Sequence, residues 1–124
     1  MGDVIASTPE LDPAQALYAH AAGVLAAAQA VDAASHTRGA VAAMGPTLAC
    51  LETSLSALAG ATERLRGHAL ERLGAPLHEA DERRRRRAEL SASLERLAGV
   101  LEQASMAAEQ ALATAEPVLD ELTT

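Results

Sequence analysis

The chain has 124 residues, enough for one domain and too few for two that each bury a core. About a quarter of it is alanine, 49% is hydrophobic and only 1% aromatic, with Tyr18 alone and no Phe or Trp; this excludes a strand-rich fold and an aromatic-walled pocket. A formal net charge of −7 excludes long-range attraction of the whole chain to nucleic acid or anionic membranes.

Residues 1–11 include Ser7-Thr8-Pro9 and show no helical period, so they read as a flexible N-terminal arm. The arm lacks the basic and apolar regions of a signal peptide, which makes a cytoplasmic location the expectation. A first helix over about 13–35 begins where Asp12 can accept backbone N–H bonds and Pro13 fits the first helical position. Leu17, Ala21, Val24, Ala28 and Val31 step along it by fours and threes and form a small-residue stripe. The Ala19–Ala34 stretch is apolar by virtue of alanine and is interrupted by Gln29 and Asp32, so no membrane span is expected. A turn falls between residues 35 and 46, where Gly39, Gly45 and Pro46 all weaken helix, and the end of the first helix is open between Ala34 and Ala43.

A second helix over about 47–73 carries the strongest stripe of large apolar residues, Leu48, Leu51, Leu55, Leu58 and Leu65, with Thr62 in phase. Gly74-Ala75-Pro76 offers the next turn, and a long third helix over about 76–115 opens with Glu79, Asp81 and Glu82 complementing its dipole. Leu90, Leu94, Leu97 and Leu101 continue into Ala104, Ala108, Ala111 and Ala115 at alternating three and four, while Glu95, Glu102, Glu109 and Glu116 recur every seven residues beside them. Pro117 ends or kinks this helix. The expected fold class is all-α, an antiparallel three-helix bundle or coiled coil with a long C-terminal helix, formed as a single domain over 12–122.

The run Arg83, Arg84, Arg85, Arg86 and Arg87 is the sharpest local signal. Five successive residues cover more than a helical turn, so the run offers a patch for an anion or an acidic partner; carboxylates at Glu79, Asp81, Glu82 and Glu89 stand at pairing distance for internal neutralisation. Arg83 and Arg87 extrapolate onto the apolar stripe, and a hairpin turning at Gly74 would set Gly67 and Glu63 opposite them, with a Glu63–Arg87 pair fixing the register. His20, His36, His68 and His78 lack the spacing of metal ligands, Cys50 has neither a disulfide partner nor an activating neighbour, and no Gly-rich phosphate loop is present. No catalytic residue, metal or cofactor is expected, and the chain does not read as an enzyme.

Val4-Ile5-Ala6, Pro9-Glu10 and the alanine-rich first helix resemble the N-terminal region of mycobacterial PE proteins, and the layout is similar to the smaller WXG-type substrates of the same type VII secretion pathway. Met44-Gly45-Pro46 stands where WXG-type proteins carry Trp-x-Gly, and Ala22 stands where the secretion signal has an acidic residue after Tyr18. All ten basic residues are Arg, which fits the G+C-rich coding DNA of an actinobacterium. The resemblance implies export as half of a heterodimer with another helical protein.

From the residues alone, the expected function is a non-enzymatic helical interaction protein that forms a homo-oligomer or docks a helical partner through its leucine stripes. Type VII export is one alternative, and binding of nucleic acid or an acidic partner by the arginine run is another. A nucleic-acid partner is not expected for so acidic a chain.

Overall fold

A computed structural model of the chain describes residues 12–74 and 80–122, and all its regular structure is helical. The arm at 1–11 and the stretch 75–79, with the expected helix start at Pro76, lie outside the described residues. The chain divides into two compact units, with the boundary between Val41 and Ala42.

The first unit holds helix α1, Pro13–Ala34. Asp12 caps it, its Oδ1 accepting the Gln15 backbone N–H at 3.0 Å, and Pro13 takes the first helical position, where a missing donor costs nothing. The helix stops at Ala34 and does not run on past Gly39; the Ser35 hydroxyl donates to the Asp32 carbonyl at 2.7 Å and a 3-10 segment follows at Arg38–Ala43. No residue of α1 is buried, and its stripe residues Leu17, Val24 and Val31 are all exposed.

The second unit holds α2, Met44–Leu73, and α3, Asp81–Ala115, followed by a 3-10 turn at Glu116–Val118 and the short α4, Leu119–Leu122. Helix α2 starts three residues before the sequence-based estimate because Pro46 sits in the first turn, where backbone donors have no intrahelical partner. It ends at Gly74, whose φ of +76° is a conformation that side-chain-bearing residues avoid. Helix α3 stops where Pro117 cannot supply its donor.

Helices α2 and α3 pack against each other and run antiparallel. Two side-chain bonds define the register: Arg66 Nη1 donates to Ser91 Oγ at 3.0 Å, and Ser105 Oγ donates to the Glu52 carbonyl at 2.8 Å. These contacts are fourteen residues apart on each helix, so midway between them Ala59 faces Ala98; the two alanines are 5% and 6% exposed and are the buried hydrophobic residues of the described structure. The same seam reaches Gly45, against which Leu112 and Leu119 lie.

This register differs by one heptad from the expected one. Glu63 bonds Arg66 on its own helix, with Arg66 Nε donating to Glu63 Oε2 at 3.0 Å, and does not meet Arg87; the observed register sets Arg87 level with Leu70. The expected alignment would have set Arg66 against Arg84, two cations at close range, and would have lost both inter-helix bonds.

Candidate interaction face

The closing seam consists of Gly45, Glu52, Ala59 and Arg66 on α2 and Ser91, Ala98, Ser105 and Leu112 on α3, each set spaced by seven. Small side chains at its centre let the helix axes come close, which is why the Ser105 hydroxyl can reach a main-chain carbonyl on the other helix. Ser105 is itself 5% exposed.

Three positions after Gly45, Glu52, Ser91 and Ala98 stand Leu48, Leu55, Leu94 and Leu101, all half-buried. One position before Glu52, Ala59, Arg66, Ser91 and Ala98 stand Leu51, Leu58, Leu65, Leu90 and Leu97; of these Leu58 is half-buried and the others are 41%, 43%, 41% and 48% exposed in that order. Rotating an antiparallel helix pair onto itself preserves side, so both of these sets fall on one side of the pair on both helices. The nine leucines of the two sequence stripes therefore share one face. Leu48, Leu55, Leu58, Leu94 and Leu101 are partly covered by the hairpin's own contact, while Leu51, Leu65, Leu90 and Leu97 form the outer part of this face that the hairpin leaves open.

The opposite side holds Glu63, Glu95, Glu102, Glu109 and Glu116, each four positions after a seam residue. The carboxylates hold the Arg66 guanidinium in its charged form, raising its pKa; the Glu63 hydrogen bond contributes most, then the Glu63 charge, with Glu95 adding and partial desolvation opposing. Charge is thus segregated. Between residues 44–62 of α2 and 90–115 of α3, the leucine face and its outer border carry only apolar residues, Ser and Thr.

The arginine run sits at the closed end of the hairpin. Arg84 pairs with Asp81 at 2.6 Å and Arg86 with Glu82 at 2.8 Å, so part of the charge is neutralised within the first turns of α3. Arg83, Arg86 and Arg87, with Leu73, Ala80, Glu82 and Leu90, line an open depression of about 440 Å³. Arg87 is half-buried there and its Nε has no hydrogen-bond partner, while Arg85 is exposed. The run continues the leucine face at its tip, since Arg83 lies seven residues before Leu90.

Among the described residues no group of three or more His, Cys, Asp or Glu could hold a metal ion. His20, His36 and His68 lie on separate elements, His78 lies outside the described residues, and Cys50 is exposed. One continuous helical stretch, Arg38–Leu73, contains a window of mean hydropathy 1.2 and is long and apolar enough to cross a membrane by length and composition alone. It is a different segment from the alanine-rich Ala19–Ala34. The same stretch contributes Glu52, Ala59 and Arg66 to the contact with α3.

The chain matches no family model, no curated protein and no solved structure.

Proposed function

We propose that this chain is a non-enzymatic helical interaction protein whose α2–α3 hairpin completes a coiled-coil bundle by taking up further helices on its leucine face. The observation that carries the reading is an inversion of burial: alanine occupies the buried positions while Leu51, Leu65, Leu90 and Leu97 are more than two-fifths exposed. A buried leucine is worth about 1.5–3 kcal/mol and an alanine far less, so a pair closed on alanine gains little of the stabilisation its sequence can supply. Covering the leucine face recovers it. A contiguous apolar face of this kind marks an interaction site.

The test uses the full-length chain, with molar mass from light scattering over a concentration series and far-UV circular dichroism on the same samples. The expected result is either association or weak helicity that a helical partner restores, and Leu97→Glu abolishes it. Leu97 is 48% exposed in the hairpin, so a stable helical monomer unaffected by Leu97→Glu would overturn the reading. If the partner is a different helical chain, as the resemblance to type VII substrates implies, it would occupy the same face.

A second reading rests on the depression at the hairpin tip, lined by Arg83 and Arg87: an acidic segment of a partner sets a carboxylate there to accept from the two guanidinium groups. Such binding would weaken steeply with added salt, whereas docking on the leucine face alone would not.

A further inference from the structure

We infer that the occupant of the leucine face is a second copy of this chain, laid antiparallel so that the two hairpin tips point to opposite ends of a four-helix bundle. The inference rests on the reading of that face as a docking surface and goes on to specify partner and orientation. Three observations carry it.

The first is charge. Each copy has a net charge of −7, so most approaches of one copy to another are repulsive. The leucine face is the side of the hairpin where two copies meet without opposing carboxylates, because Glu63, Glu95, Glu102 and Glu109 all lie on the other side.

The second is symmetry. On α2 the leucines at 51, 58 and 65 are evenly spaced about Leu58, and the observed register places Leu97 at nearly the same level on α3. A two-fold axis at that level and perpendicular to the helices lays α2 on α2 and α3 on α3, each antiparallel, and brings Leu51 of one copy to Leu65 of the other. The interface is isologous, as most closed dimers are. The alternative two-fold, parallel to the helices, would stack Arg72, Arg83 and Arg87 of both copies at one end. That repulsion selects the antiparallel arrangement.

The third is area. From Met44 to Ala69 the face is about 40 Å long at about 1.5 Å per residue, and two helices side by side are about 20 Å wide. Laying two such faces together removes about 800 Å² per copy from water, the size of a standard specific interface.

Orientation is tested by disulfide trapping in the full-length chain with Cys50→Ser as background, since Cys50 is exposed. Leu58→Cys is expected to cross-link to itself under mild oxidation. Leu51→Cys and Leu65→Cys chains are expected to cross-link when mixed and refolded together, and poorly alone. Light scattering on the unsubstituted chain is expected to give twice 12.7 kDa. A dimer in which Leu58→Cys fails to cross-link, or in which Leu51→Cys links to itself, overturns the antiparallel arrangement. A poorly helical monomer, or a monomer that sediments with phosphatidylcholine vesicles, overturns the second copy as occupant but leaves the face a docking surface. A stable helical monomer indifferent to Leu97→Glu overturns both.

Discussion

Replacing Ala98 with leucine tests the closing seam directly. Ala98 is 6% exposed and faces Ala59, 5% exposed, so three added carbons enter the space between two helix backbones. If the helices hold their separation, the new side chain is overpacked at a cost of about 1–3 kcal/mol. If they move apart, the leucine is accommodated but the Arg66–Ser91 bond stretches together with the buried Ser105–Glu52 bond, the latter worth about 1 kcal/mol. Both routes cost at least about 1 kcal/mol, and at about 4–8 °C per kcal/mol for a unit of this size the midpoint falls by at least about 4–8 °C. Ala92→Leu on the exposed side of α3 is the control; it changes helix propensity equally little and is expected within about 0.5 kcal/mol of the parent. Thermal melts followed at 222 nm are compared at one protein concentration, because association shifts the midpoint. An Ala98→Leu chain that melts at or above the Ala92→Leu chain would refute the seam.

Ser105→Ala is expected to cost about 1 kcal/mol and no more, since the Glu52 carbonyl keeps its intrahelical bond; urea titration checks it. Gly74→Ala forces a side chain into φ of +76° and is expected to destabilise by about 1–3 kcal/mol, read by the same titration. The Arg66 pKa is raised in the folded chain, so its contribution is complete below the unfolded value and is lost only as pH climbs through the folded one. Both lie above the neutral range, and the stability difference between the parent and Arg66→Met is therefore expected to stay constant from about pH 6 to pH 9 in paired melts.

Much of the helical framework was legible in its residues. Asp12-Pro13 marked the start of α1, Gly74 the end of α2 and Pro117 the end of α3, because each acts through a local backbone constraint that tertiary packing does not alter. The leucine stripes were also visible, since a period of three and four fixes which residues share one side of a helix. What periodicity does not fix is which of two adjacent stripes closes a pair. Leucines weigh heavily in such a pattern, while Gly45, Ala59, Ala98 and Ser105 carry no comparable signal although close approach depends on them. Register was lost for a related reason: a slip of seven residues returns every side chain to the same face, so only individual contacts such as Arg66 with Ser91 distinguish the alternatives. The length of the connection after Gly74, which sets that slip, depends on where α3 begins, and it begins at Asp81.

The aromatic composition has an experimental consequence. Tyr18 is the only intrinsic fluorophore, and it stands on α1, 76% exposed, in the first unit. Far-UV ellipticity, by contrast, is dominated by the longer α2 and α3 of the second unit. Every sample therefore carries two separate optical reporters without labelling. Coincident melting curves from tyrosine emission and ellipticity would mean that the two units unfold as one cooperative system, and divergent curves would give each unit a midpoint of its own.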